Sequence, residues 1–129
     1  IEEGEVWEAF MFAAHYKLDN LCVIIDLNGL QIDGPTEKVM NSAPVDAKME
    51  AFGFNVITID GHDYDQIEGA FNAFRACTGK PTAILMHTTK GKGVSYMENN
   101  VDWHGKAPND AEYEVAMNEL RAAMAELEA

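Results

Sequence analysis

Residues 21–34, LCVIIDLNGLQIDG, carry the reading of the fold. Leu21 to Ile25 is an unbroken apolar run with β-branched residues at Val23, Ile24 and Ile25. Strands covered on both faces look like this, as in a parallel sheet. Asp26, Asn28 and Gly29 then close the strand with polar and turn-forming residues at its carboxyl end. The pattern returns twice. Asn55–Asp60 (NVITID) runs into Gly61, and Thr82–Thr89 (TAILMHTT) runs into Lys90-Gly91-Lys92-Gly93.

The segments between these runs read as helices. Residues 5–17 (EVWEAFMFAAHYK) leave few polar positions. Most of that helix's circumference is therefore expected to be covered, by the sheet and by another subunit or domain, with His15 packed inside. Residues 44–52 read as a short helix, with Pro44 in its first turn and Gly53 past its end. Asp63, followed three residues later by Gln66, is a capping pattern that opens a helix to about Ala76, apolar along Ile67, Ala70, Phe71 and Phe74. Asn109 and Glu112 open a last helix to about Leu127. Its Tyr113, Met117, Leu120, Met124 and Leu127 recur at spacings of four and three, a seam suited to a neighbour. Residues 28–43, rich in Asn, Gly, Asp and Pro, read as an irregular loop, and a loop of that length in a compact domain is usually functional.

Strands alternating with helices imply an α/β fold with three α/β/α layers and a mostly parallel sheet. The first helix has no strand before it, and the chain opens on Ile1. The fold is therefore expected to be incomplete, a piece of a larger unit.

Composition excludes several functions. The 129 residues carry 22 acids and 9 Lys and Arg, a formal charge of −13, which is the reverse of a nucleic-acid binder. At 47% hydrophobic the chain is not disordered. No stretch approaches the ~20 apolar residues of a membrane span, and the acidic Ile1-Glu2-Glu3-Gly4-Glu5 does not read as a signal peptide. Cys22 and Cys77 lie in apolar patterns outside any CxxC pair and read as reduced, inert thiols of a cytoplasmic protein. Against the acidic whole, residues 80–106 carry Lys80, Lys90, Lys92 and Lys106 opposed only by Glu98 and Asp102. A local positive patch of this kind suits an anionic ligand.

In open α/β sheets, ligands settle outside the carboxyl ends of the strands. Three segments should meet there: residues 26–34, 60–63 and 90–105. The first offers an Asn side chain, carbonyls and carboxylates, hard oxygen donors that suit Mg²⁺ or Ca²⁺. The third offers lysines, His104 and glycines that permit close backbone approach, a set that suits phosphate or diphosphate. Lys90-Gly91-Lys92-Gly93 is not a Walker A loop, which needs GxxxxGK[ST]. Each Asn-Gly or Asp-Gly alone is ordinary turn chemistry.

The strings Glu3–Leu21, Ile25–Glu37 and Gly91–Lys106 together resemble the thiamine-diphosphate half of transketolase. The resemblance covers nearly the whole chain, residues 1–129 corresponding to the C-terminal half of that pyrophosphate-binding domain. It looks most like the N-terminal subunit of transketolases that are split into two polypeptides. The resemblance implies thiamine diphosphate and Mg²⁺ (or Ca²⁺) as cofactors. Asn28 would ligate the metal through its side chain and Leu30 through its carbonyl, while Ile32 would pack near the cofactor. Leu27 stands where many members have Asn or Asp. Lys90 would lie near the diphosphate. His104, framed by Trp103 and Gly105, would touch both diphosphate and substrate and act as the catalytic histidine. Glu3 and Glu8 would belong to a carboxylate network at the dimer interface. The motif's opening Gly-Asp-Gly, whose aspartate is a principal metal ligand, should precede Ile1.

The implied activity is transfer of a two-carbon ketol unit between sugar phosphates, shared with a C-terminal transketolase subunit that brings the remaining catalytic groups. The chain alone is then expected to be inactive and to form a homo-oligomer. The alternatives are another thiamine-diphosphate enzyme, such as the α subunit of a 2-oxoacid dehydrogenase or deoxyxylulose-phosphate synthase, and a non-catalytic acidic α/β fragment that mediates the assembly of subunits.

Overall fold

The computed structural model describes residues 1–128. Helix α1 (Gly4–His15) starts behind Glu3 without a side-chain cap. It closes where Lys17 turns into the left-handed region (φ 51) and Leu18 N–H donates to Ala13 O. Strand β1 follows (Cys22–Leu27), then two two-residue strands, β2 (Leu30–Gln31) and β3 (Gly34–Pro35). Two short helices come next, α2 (Thr36–Val39) and α3 (Val45–Ala51). Strand β4 (Asn55–Asp60), helix α4 (Tyr64–Ala76) and strand β5 (Thr82–His87) form a β-α-β unit, the crossover that a parallel strand pair requires. A 3₁₀ turn (Val101–Trp103) precedes helix α5 (Asp110–Leu127).

The main sheet has the order β1-β5-β4 and is parallel throughout. β5 is central, and the unbroken run of its first residues suits that place: Thr82, Ala83, Ile84 and Leu85 are all buried. Alternation along the strands sorts the core into two layers. Ala83 and Leu85, with Ile25 of β1, meet Phe10 and Ala13 of α1 and Val45 and Met49 of α3 on one face. Ile84 and Ile59 meet Ala70 of α4 on the other, backed by Ile57, Ile67, Phe71 and Met86. The three layers expected from the sequence are thus present.

The caps follow the sequence closely. Asp63 accepts from Asp65 N and Gln66 N to start α4. Gln66 does not complete a reciprocal box: its Nε2 donates to Asp63 Oδ2 and its Oε1 accepts from Asp60 N. At α5 the box is complete, Asn109 and Glu112 each accepting from the other's backbone. Away from the carboxyl ends of the strands, Gly79 N donates to Asp19 Oδ2 at 2.9 Å and ties the α4–β5 turn to the α1–β1 turn.

Two expectations are corrected. Residues 28–43 are not wholly irregular, since they hold the β2–β3 hairpin and α2. Their two- and four-residue elements are too short to leave a periodic pattern in the sequence. His15 is not packed; it is exposed and stands edge-on to the Tyr16 ring. On α1 the expected cover by the sheet is present on one side, and the side expected to meet another subunit or domain is open in the single chain. Only Phe10 and Ala13 are buried, and Met11, Phe12 and Tyr16 face outward.

Candidate functional site

The parallel register pairs Leu27 with His87 and Asp60 with His87, so the three strands end at one level. Their exit segments therefore share one edge of the molecule. At the end of β1, Asn28 Oδ1 accepts from Leu30 N at 2.9 Å, an Asx turn that bends the chain sharply. Gly29 takes φ 74 there. The chain then folds into the β2–β3 hairpin, with Ile32 and Asp33 exposed at its tip. Gln31 Nε2 fastens the hairpin by donating to Met40 O and to Glu2 Oε1.

The exit of β5 is held on both sides. Thr88 donates its hydroxyl to Asp26 Oδ1 of β1. Thr89 N donates to His62 Nε2, on the β4–α4 turn, at 2.7 Å. Lys90 follows, and its carbonyl accepts from Asn99 N at 3.0 Å, which folds residues 91–99 back as a closed loop. Gly91 is required in that loop: at φ 72, a Cβ there would lie 2.5 Å from Met97 O. Gly93 N is capped by Glu98 Oε1.

The Trp103-His104-Gly105-Lys106 string is braced from behind by α5. The Trp103 ring lies between Tyr96, 4.9 Å away, and Lys106 Nζ, 4.1 Å above its centre. Lys106 pairs with Glu112 at 3.4 Å. The backbone N–H of Asn109, and then Lys106, hold the Glu112 carboxyl below its ordinary range. Tyr96 donates to Glu112 O, and burial together with Glu112 and Glu119 pushes its phenol up. His104 N closes the 3₁₀ turn onto Val101 O and leaves the imidazole exposed.

These segments enclose a cleft of about 400 Å³. Asn28, Leu30, Ile32, Lys90 and His104 all line it. Residues far apart in the chain, all named from the family resemblance, thus line one cavity. Glu3 and Glu8 do not line it; Glu3 precedes α1, and both are exposed. Glu2, Gln31, Asp33, Val39 and Val101 line the cleft without having been named. For Glu2 the only sequence signal was its adjacency to Glu3. A wider cleft of about 850 Å³ opens beside the first, shares Glu2, Asn28, Leu30 and Gln31 with it, and reaches Leu85 and His87.

The donor chemistry fits an anion next to a hard cation. Lys90 is half-buried, and among the described residues the ion pairs are Ile1–Glu2 and Lys106–Glu112, so its ammonium carries no carboxylate partner. Asn28 Oδ1 uses one lone pair on Leu30 N, and an amide oxygen has a second. Among the described residues, no three His, Cys, Asp or Glu side chains are grouped to hold a metal ion. The chain can supply part of an oxygen shell, and a bound metal would draw further oxygens from its ligand and from other protein segments.

Fold and cleft together define an α/β domain with a candidate ligand cleft at the carboxyl ends of its parallel strands. Residues 1–125 match the family described as transketolase, thiamine diphosphate binding domain, and the chain belongs to that family. It is 42% identical over 126 residues to an apulose-4-phosphate transketolase subunit of Phocaeicola vulgatus, covering 98% of this chain and 45% of that one. It is 40% identical over 119 residues to the 6-deoxy-6-sulfo-D-fructose transketolase subunit SqwG of a Clostridium species, covering 92% and 43%. The crystal structure of transketolase from Campylobacter jejuni superposes with a TM-score of 0.81 at 31% identity, over 92% of this chain and 18% of that one. The chain thus spans less than half the length of these relatives, and its fold corresponds to part of their domain. No helix among the described residues is long and apolar enough to cross a membrane.

Proposed function

We propose that this chain supplies the diphosphate-and-metal side of the thiamine diphosphate site in an enzyme that transfers a two-carbon ketol unit between sugar phosphates. The observation that carries the reading is the convergence of Asn28, Leu30, Ile32, Lys90 and His104 on one cleft. Thiamine diphosphate, when bound, supplies the nucleophilic carbon that the protein's own side chains lack. The chain's residues then have separable tasks. Asn28 Oδ1 and the Leu30 carbonyl would ligate Mg²⁺ (or Ca²⁺) and offset diphosphate charge through it. Lys90 would contact the phosphate oxygens as a point charge. His104, exposed on its 3₁₀ turn, is free to hydrogen-bond both a phosphate oxygen and a substrate hydroxyl. Ile32 would shield the cofactor from water.

Relatives that are named as transketolase subunits support a second polypeptide that completes the site, and they support sugar phosphates as the substrate class. Residues 1–129 then act as the C-terminal half of the cofactor domain, and Glu3 and Glu8 lie at and on α1 where carboxylates of an interface network would be. The outward Met11, Phe12 and Tyr16 support assembly with another polypeptide, including a second copy of this chain.

Titration of the purified chain with thiamine diphosphate and Mg²⁺, followed by tryptophan fluorescence, tests the reading. Lys90→Ala removes a charge-assisted contact and is expected to weaken binding by roughly 10- to 100-fold. Asn28→Ala is expected to weaken the Mg²⁺-dependent part. Equal affinity in all three proteins, or ketol transfer by the lone chain, would overturn it. No cofactor binding by the unaltered chain would instead favour an assembly fragment.

A further inference from the structure

We propose that His62 is a positioning residue for Lys90, holding the phosphate-facing loop in place through the backbone of Thr89; the proposal rests on the reading of Lys90 given above. Three observations carry it. First, Thr89 N donates to His62 Nε2 at 2.7 Å, a short bond between segments 27 residues apart. An imidazole nitrogen that accepts must be unprotonated, so the ring's proton sits on Nδ1.

Second, the turn that carries His62 is itself fixed. His62 N donates to Asp60 Oδ1 at 2.9 Å, and Gly61 N donates to His87 O at 2.8 Å, extending the sheet pairing by one residue. A Cβ on Gly61 would lie 2.5 Å from Thr88 Cγ2, so only glycine lets the turn approach β5 this closely. Asp63 then caps α4. The acceptor therefore belongs to a rigid turn, not to a free loop.

Third, the bond falls where the β5 backbone leaves the sheet. Thr88 is held from the β1 side by Asp26, and Thr89 from the β4 side by His62. Lys90 is the next residue, and it lines the cleft with Asn28 and His104. The two bonds straddle the strand and set the direction in which Lys90 departs. No other turn on the β4 side reaches this point with a side chain among the described hydrogen bonds.

Hydrogen exchange by NMR on the 129-residue chain tests this without any ligand. His62→Ala is expected to lower the protection factor of the Thr89 amide by roughly five-fold, as the loss of one neutral hydrogen bond predicts. The Asn99 amide, bonded to Lys90 O, should lose protection with it, and the Leu85 and Met86 amides should not. His62→Gln places a carbonyl oxygen near the Nε2 position and should restore both. Unchanged Thr89 and Asn99 protection in His62→Ala overturns the proposal, as does a loss that extends to Leu85 and Met86. Titration with thiamine diphosphate and Mg²⁺ separates this failure from failure of the cofactor reading. If Lys90→Ala weakens binding and His62→Ala does not, positioning by His62 is refuted and the site stands. If neither weakens it, the site reading fails while the exchange data still decide what His62 holds.

Discussion

β1 and β4 flank the same central strand, have the same length and end at the same level, yet they are covered differently. β4 has α4 over one face and α3 beside the other, and its Ile59 is 7% exposed. β1 is covered on the α1 face, where Ile25 is 6% exposed, but on the α4 face its Ile24 is 50% exposed. The cause is geometric: a β-α-β crossover lays its helix over the two strands it joins, here β4 and β5, and on that face Ile24 of β1 lies beyond it. The comparison teaches where the chain is self-sufficient. The β4–β5 half closes its own core. Both strands have an open backbone edge, but only the β1 half, which carries the candidate metal-ligating loop, also leaves a large apolar side chain of its sheet face half exposed, the arrangement in which an edge strand pairs with additional protein.

The comparison can be broken most forcefully at Ile84, fully buried under α4 in the closed half. Ile84→Ala is expected to lower the unfolding free energy by about 2–5 kcal/mol, read by urea denaturation. Gly61→Ala comes next, because the added methyl must push the β4–α4 turn off Thr88. A loss of about 1–3 kcal/mol is expected, with the far-UV spectrum retained. A third test uses acid. Hydrogen bonds from Gln66, then the Asp65 backbone, hold the Asp63 carboxyl below its ordinary range. A depressed carboxylate stabilises the fold above the unfolded-state value and ceases to do so as the pH falls through the folded-state one. Helical signal should therefore decline below about pH 4, and Asp63→Asn, which keeps a capping oxygen, should show a flatter decline. The smallest effect belongs to the open half: Ile24→Thr should change stability by no more than about 0.5 kcal/mol in the isolated chain. A much larger loss there would mean that Ile24 is covered in solution, and sedimentation analysis would then show self-association.

Much of this was legible in the sequence for identifiable reasons. The strands announced themselves because each is covered on at least one face by helices and so has to be apolar and β-branched. Helices α4 and α5 announced themselves through Asp63 and Asn109, whose side chains must accept backbone N–H groups. The hairpin at Leu30–Pro35 did not, since two-residue strands have no periodicity to read. The exposure of Met11 and Phe12 was hidden because sequence records that a surface is apolar and is silent on whether this chain covers it. Of the cleft, Asn28, Leu30, Ile32, Lys90 and His104 were found by family resemblance, and the parallel register explains why strand-end residues meet. Glu2 was missed, and His62 was not singled out within segment 60–63, because their bonds to Gln31 and Thr89 are distant in sequence and without a local signature.

The common level at which β1, β4 and β5 end also limits which changes of length the chain can accept. One residue inserted within β5 would advance Lys90 by about 3.3 Å along the strand and turn every later side chain to the opposite face. Lys90 would then leave Asn28 behind and the Thr88 and Thr89 anchors would exchange sides. The same insertion in the α4–β5 turn, beyond the Gly79–Asp19 tie, shifts no strand end. Natural variation in length should therefore gather at the amino ends of the strands, leaving the three exits to keep step with one another.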